Sequence, residues 1–321
     1  MMKDKGLSVL CLVGLLAVSA PAIESGRLEG WWRFSEPSGD VSLDSSGNLR
    51  DALIDTNAVE RISSAPGGGA LWFDSVTNIG CSAGESLAFV EVPDFADIHV
   101  SNGFTVAAWV FVENAAPFSA LVMRTSDRNG WNDGFGLYLG ERGGLGGFVR
   151  AGIDANAVEG GEILSNCWTH VAMSYSGRNL SLYIDGKVAA SKEFQTEEPA
   201  NAAAALSVGP LVGGGNQSSF VGAIADVRVW SEALTPNQVK SVRSQFLGDS
   251  IDPNDDDDSD GILNGWEVRY GFDPRDGTDA QSDHDRDGLT NLQEFRLGRN
   301  PCVKAQNAVP SLIKSFTVVT P

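Results

Sequence analysis

Residues 256–274 (DDDSDGILNGWEVRYGFDP) are repeated at 283–301 (DHDRDGLTNLQEFRLGRNP), offset by 27 without a gap, and nine of the 19 aligned positions are identical. In both copies acidic residues stand at positions 1, 3 and 5, Gly at 6, Asn at 9 and Glu at 12. Alternate residues of a tight loop point at one centre, and a Glu on the first turn of a following helix reaches back to it. Carboxylates held that close repel one another strongly. A hard divalent cation removes the conflict, and the spacing is that of a twelve-residue calcium loop. The ligands are then Asp256, Asp258, Asp260, the carbonyl of Ile262, Asn264 and Glu267 around the turn at Gly261. In the second copy they are Asp283, Asp285, Asp287, the carbonyl of Leu289, Asn291 and Glu294 around Gly288. Position 9 acts directly or through water. A solvated acidic linker would carry the charge but not the spacing. Asp273, Asp276 and Asp279 lie between the loops and are candidates for a bridging ion. Ca2+ is the expected cofactor.

After each Glu the chain runs through a short helix to Gly271 or Gly298, with Pro three residues on, a helix stop. The apolar set of this unit is small, so it should need its metal to fold. Extracellular calcium modules bind at about 10⁻⁴–10⁻³ M, which favours a structural role over a sensor. The unit also dominates the charge. Residues 247–303 hold 13 Asp and 2 Glu against 5 Arg, over half of the chain's net −19. A nucleic-acid partner is excluded by that balance, since phosphate binding needs a basic face. Oligomeric state is not legible.

The first 22 residues read as a signal peptide: Lys3 and Lys5, then an apolar run from Leu7 to Ala20, then Ala20-Pro21-Ala22 as a cleavage site. The mature chain would start at Ile23, carry no membrane span, and be secreted, periplasmic or held at the cell surface. Removal of Cys11 leaves Cys81, Cys167 and Cys302. An odd count allows at most one internal disulfide. Cys81 with Cys167 is the candidate pair, both lying in the larger domain, and the sequence leaves the pairing open.

That larger domain, 23–247, reads as short strands separated by turns, an all-β sandwich or jelly roll. On Trp168–Tyr175 (WTHVAMSY), Thr169, Val171, Met173 and Tyr175 share one face and Trp168, His170 and Ala172 the other. Asp185-Gly186 predicts a type I′ hairpin turn. Phe104–Val112 is apolar at almost every position, as in a strand buried on both faces. Further strands are expected over 29–35, 70–74, 88–92, 119–124, 135–139, 146–151, 206–209 and 219–230, and one short helix from Thr235-Pro236 to about Phe246. Trp72, Trp109, Trp168 and Trp230 are expected in the core. Either Trp31 or Trp32 must face outward. Polar residues from 248 lead into the loop module, 248–303, and 304–321 is a tail.

Two resemblances follow. The repeat is similar to bacterial thrombospondin type 3-like, EF-hand-like calcium repeats, without the regular cysteines of the animal family. Residues 28–246 resemble laminin-G-like jelly rolls of the concanavalin A-like superfamily, through Trp168-Thr-His-Val-Ala172, Leu182-Tyr-Ile-Asp-Gly186, FTVAAWV at 104–110, GAIADVRVWSEAL at 222–234 and GWWRFSEPSGDVSLDSSGN at 30–48. The resemblance implies two antiparallel sheets face to face, a glycan or extracellular protein ligand, and a structural calcium at Asp44, Asn48 and Asp226. The alternative there is turn chemistry with a surface Asp226. The superfamily includes glycoside hydrolases, whose laminarinase-type members carry Glu-x-Asp-x-x-Glu on one strand. No such run occurs here, and Glu159-Gly-Gly-Glu162 reads as a loop. The chain is therefore expected not to be an enzyme. A sugar-binding face is a candidate at 126–135, where Trp131 stands among Asp127, Arg128, Asn132 and Asp133; the alternative is a hairpin loop whose Trp caps the sandwich edge. The expectation is an exported, non-catalytic calcium-binding protein recognising carbohydrate or matrix. A structural or adhesion module for another protein is the alternative, and a concanavalin A-like glycoside hydrolase the second.

Overall fold

The computed structural model describes residues 28–65, 68–74, 87–96, 103–126, 132–150, 155–194, 202–212, 220–245, 255–302 and 304. The signal segment 1–22, Cys81, Asp127, Arg128, Trp131 and the tail from 305 lie outside the described residues.

The short alternating segments fold as strands in chain order: β1 (Leu28–Trp32), β2 (Val41–Ser42), β3 (Ala52–Ile54), β4 (Val59–Ala65), β5 (Gly68–Asp74), β6 (Leu87–Val92), β7 (Phe104–Ala115), β8 (Ser119–Arg124), β9 (Gly134–Leu139), β10 (Leu145–Arg150), β11 (Ala155–Gly160), β12 (Trp168–Tyr175), β13 (Asn179–Ile184), β14 (Lys187–Glu193), β15 (Leu206–Val212) and β16 (Phe220–Trp230). Three short helices follow, α1 (Pro236–Gln245), α2 (Asn264–Tyr270) and α3 (Asn291–Leu297). Among the described residues no helix is long and apolar enough to cross a membrane.

The strands pair into two antiparallel sheets. The first runs β14-β13-β12-β7-β16-β5-β4, with β1 also on β16; the second runs β11-β10-β9-β8-β15-β6-β3-β2. Period-2 alternation decides which side chains enter the space between them. On β7, Phe104, Val106, Ala108, Val110 and Val112 face the core, where Phe104 stacks on Phe135 of β9 at 4.3 Å. Strand β7 is buried on both faces because it lies mid-sheet and its other face is also covered. At the β13–β14 hairpin, Asp185 (φ 50) and Gly186 (φ 72) are both left-handed, as a two-residue type I′ turn requires.

The outward face of the first sheet differs from expectation. Trp109, Trp168 and Trp72 do not enter the core between the sheets; with Ala65, Ala70, Ala223, Ala225 and Phe111 they make a separate apolar cluster on the outside. Trp230 stands on the same face, packed with Tyr183, Val239 and Val242. The physical reason is that this face is roofed, at one end by α1 and at the other by the C-terminal loop module. Of the adjacent pair on β1, Trp32 is fully buried in the core and Trp31 faces outward.

Three contacts fasten the module. Gly271, with φ 84, lies so close to Trp168 that an added Cβ would stand 2.3 Å from the Trp168 Cβ. The His284 imidazole Nε2 contacts the carbonyl of Asn166. Cys167 is disulfide-bonded to Cys302, with Cα atoms 5.9 Å apart. This corrects the candidate pairing of Cys167 with Cys81. The pairing joins residues 135 apart in sequence, because docking of the module brings its C-terminal end beside the start of β12. The Glu159-Gly-Gly-Glu162 segment is only in part the loop expected: Glu159 and Gly160 end β11, paired with Gly146 and Leu145 of β10, and Gly161 and Glu162 follow outside the strand.

Candidate metal centre and the module interface

Both acidic loops close by the same local hydrogen bonds. In the first, the Asp260 N–H donates to Asp256 Oδ1 (3.1 Å) and Asp258 Oδ1 (3.2 Å), Gly261 N–H to Asp256 Oδ2 (3.0 Å) and Ile262 N–H to Asp260 Oδ1 (2.7 Å). In the second, Asp287 N–H donates to Asp283 and Asp285 Oδ1 (3.1 Å each), Gly288 N–H to Asp283 Oδ2 (2.9 Å) and Leu289 N–H to Asp287 Oδ1 (2.8 Å). Each loop needs a left-handed residue at position 4, Ser259 (φ 63) or Arg286 (φ 60), and again at the Gly of position 6 (φ 94 and 97). These turns aim the remaining carboxylate oxygens inward. Ligand atoms of Asp256, Asp258 and Asp260 lie within 4.8 Å of one another, and so do those of Asp283, Asp285 and Asp287.

Glu267 and Glu294, on the first turns of α2 and α3, are fully buried, and neither oxygen of either carboxylate has a hydrogen-bond partner. Asp258 Oδ2, Asp260 Oδ2 and Asp285 Oδ2 are likewise buried without partners. Orphaned anionic oxygens at that burial cost several kcal/mol each unless something positive fills the gap. An all-oxygen donor set with no His or Cys suits a hard cation.

The inter-loop acids divide. Asp279, in a 3-10 turn, brings an oxygen within 4.8 Å of Asp260 and Glu267, and its Oδ1 is another buried orphan. Asp273 and Asp276 instead cap turns, accepting from Arg275 N–H (3.1 Å) and from Thr278 N–H and Oγ1 (3.2 and 2.6 Å). The position-9 asparagines are clamps. Asn264 accepts from Asp257 N–H (2.9 Å) and donates to Asp257 Oδ1 (3.1 Å). Asn291 donates to the Asp279 carbonyl (2.9 Å), and its Oδ1 is left buried without a partner. Asp279 carried no spacing signal that set it apart from Asp273 and Asp276; only the fold selects it.

Burial, and then crowding, raises the acids. Glu267 is pushed up to about 9 by burial and then by Asp258, Asp260, Asp279 and Asp256. Asp279 is pushed to about 7 by burial and by Asp260, Asp276, Asp258 and Asp273, and Glu294 to about 7 by burial and by Asp285, Asp287 and Asp283. Each folded value stands above its unfolded one. In metal-free protein the stability these groups contribute is therefore complete below about pH 4 and is lost as pH rises through about 7 and then about 9. A divalent cation must displace those protons. Thermal melts in chelator are expected to show the melting temperature falling between roughly pH 5 and pH 9, and saturating divalent cation to remove or reverse that slope.

The second expected calcium position is not built for an ion. Asp44 is saturated by donors: Trp31 N–H (3.0 Å), Ser46 N–H and Oγ (2.8 Å each) and Arg50 N–H (3.1 Å). Asn48 spends its amide on the Leu28 carbonyl (2.7 Å). Asp226 sits left-handed (φ 48) at a bulge of β16, nearly fully buried, with Arg228 Nη2 at 2.9 Å and the Trp31 indole N–H donating at 2.6 Å. A guanidinium and backbone N–H groups fill the place given to a metal, which corrects that reading. His170, between Trp109 and two guanidiniums, is buried and held at about 3 by desolvation and then by Arg243 and Arg228. In the candidate sugar loop, Asn132 accepts from Arg150 (2.8 Å) and Asp133 accepts from Thr125 Oγ1 (2.6 Å), Ser126 N–H (2.9 Å) and the Ser126 hydroxyl. Asp133 is thus tied into its own hairpin and Asn132 to the neighbouring strand β10.

Between the first sheet and the module lies a cleft of about 360 Å³. Trp72, Phe111 and Trp168 line it from the sheet; Tyr270, Phe272 and His284 line it from the module, with Asp273, Asp276, Asp279 and Asn291.

Residues 85–240 match the family described as the concanavalin A-like lectin/glucanases superfamily, Laminin_G_3. No curated protein matches the chain. Among solved structures, the chain is similar to the binding domain of Paraclostridial Mosquitocidal Protein 1, at 17% identity over 72% of this chain and 57% of that one, with a TM-score of 0.53. It is also similar to the binding domain of botulinum neurotoxin serotype G (11%, 66% and 50%, TM-score 0.51) and to that of botulinum neurotoxin DC (11%, 78% and 55%, TM-score 0.50). The chain thus spans about half the length of these three structures. At these identities the likeness speaks to fold. The match and the likenesses fall on a sandwich of two antiparallel sheets packed face to face, the fold that this chain shares with them.

Proposed function

We propose that this chain is an exported, non-catalytic protein that binds calcium through its two C-terminal loops and carbohydrate through its jelly-roll domain. The observation that carries the calcium reading is the set of buried, unpartnered carboxylate oxygens converging in each loop. Asp256, Asp258, Asp260, Glu267 and the carbonyl of Ile262 hold one ion, and Asp283, Asp285, Asp287, Glu294 and the carbonyl of Leu289 the other. Six to eight oxygens, including a bidentate Glu, is calcium chemistry. The apolar run at 7–20 supports export to a compartment where calcium is abundant.

The carbohydrate reading is supported by the family's lectin membership and by one structural neighbour, the neurotoxin DC binding domain, described in complex with SialylT. The same neighbour is also described with rat synaptotagmin II, which keeps a protein ligand as the second reading. Absence of catalysis is supported by the lack of a Glu-x-Asp-x-x-Glu run and by His170, whose pKa of about 3 makes it a poor base. The test is a glycan array probed with residues 23–321 at about millimolar calcium and again in chelator. Binding that disappears in chelator is the expected result. A blank array from folded protein moves the reading to a protein ligand, and release of reducing ends from a bound glycan overturns the non-catalytic one.

A further inference from the structure

We propose that the cleft between the outer face of the first sheet and the C-terminal module is a binding site for an uncharged sugar residue, with the calcium module as one of its walls. This rests on the carbohydrate reading above and gives it a location and a ligand class. The cleft, about 360 Å³, falls within the range of roughly 300–1,000 Å³ usual for small-ligand sites. Its floor is a row of rings, Trp72 6.1 Å from Phe111 and Phe111 5.8 Å from Trp168. Trp72 and Phe111 remain partly exposed although they sit in an apolar cluster. Ring faces suit the C–H face of a pyranose or furanose.

The opposite side offers acceptors. Asn291 is fully buried, its amide nitrogen is committed to the Asp279 carbonyl, and its Oδ1 has no partner. A buried acceptor left unmade costs about 1–3 kcal/mol, and a sugar hydroxyl is a donor of the right kind. Among the described residues no Lys or Arg lines the cleft, so a sialylated or sulfated glycan would meet carboxylates there without a lysine or arginine to offset its charge.

Asp279 links the ion to the ligand. It lines the cleft and also stands within 4.8 Å of Asp260 and Glu267. Emptying the first loop frees the residue that shapes the cleft's acidic side, so sugar affinity and calcium affinity become coupled, each raising the other by the same factor.

The experiment uses residues 23–321 at about millimolar calcium on an array holding uncharged, amino-sugar and sialylated or sulfated oligosaccharides, followed by titration of the hits. Hits among the uncharged set are expected, weakened at least about tenfold by Trp72→Ala and by Ile62→Trp, which fills the cleft from its rim. Circular dichroism and melting temperature confirm that both variants fold. Retained binding in both folded variants, with loss in Trp131→Ala, overturns the cleft and leaves the carbohydrate reading standing. Hits confined to charged glycans overturn the ligand class, and a blank array overturns both.

Discussion

Replacing Asp226 with Ala is expected to destabilise the jelly roll by about 3–5 kcal/mol, equally in calcium and in chelator. Arg228 is nearly fully buried, with its guanidinium 4.3 Å above the Trp31 ring, and Asp226 is its ion-pair partner at 2.9 Å. Truncation leaves that cation in the apolar layer with no counter-charge. It also strips the acceptor from the Trp31 indole and asks Ala to hold a left-handed conformation that Asp tolerates better. Asp226→Asn keeps the indole bond and the backbone preference, so it should cost less. Pairing Asp226→Leu with Arg228→Met should recover much of the loss, since a buried ion pair is worth little over an apolar pair of similar volume. Chemical denaturation of the four proteins measures all of this. A calcium-dependent loss in Asp226→Ala would restore the metal role that the geometry denies.

Stripping divalent cations at neutral pH is expected to abolish hydrogen-exchange protection across residues 255–302 while the sheets keep theirs. The module has few apolar residues and burial at Glu267, Glu294, Asn264 and Asn291 where a core would be, so a few kcal/mol decides whether it folds. At about millimolar calcium, a dissociation constant of about 10⁻⁴–10⁻³ M gives each site on the order of 0.4–1.4 kcal/mol, and well above that constant each tenfold rise in calcium adds about 1.4 kcal/mol per site. Glu267→Gln gives a sign test. A Glu held near 9 must take up a proton to fold at neutral pH and Gln need not, so metal-free protein should become more stable there, while the calcium response should fall by about half. Equal protection in chelator and calcium would end the cation reading. The Cys167–Cys302 bond should keep the unfolded module tethered beside Trp168 throughout.

The sequence by itself determined what rests on neighbours in the chain. Period-2 alternation marked most strands, including the core face of β12, because a pleated strand sends successive side chains to opposite sides. It did not show β2, β3, β4 or β11, whose pattern is too short, too polar or too rich in small residues to stand out. Asp185-Gly186 specified its turn through two left-handed residues. The acidic loops specified theirs through hydrogen bonds spanning two to five residues, all legible in the Asp and Gly spacing. Only the tertiary structure decided which outward face would be roofed, and most departures follow from that. Trp109 and Trp168 belong to a layer outside the sandwich, Cys167 meets Cys302 and not Cys81, and Asp279 alone of three similar acids turns to the first loop. Asp226 and Arg228 pair at a bulge of β16, two residues apart and both nearly fully buried, and only the fold sets that pair under the Trp31 ring. Alternation states that a side chain faces out; it carries no information about what will cover it, since the covering segment lies more than a hundred residues away and is placed by packing.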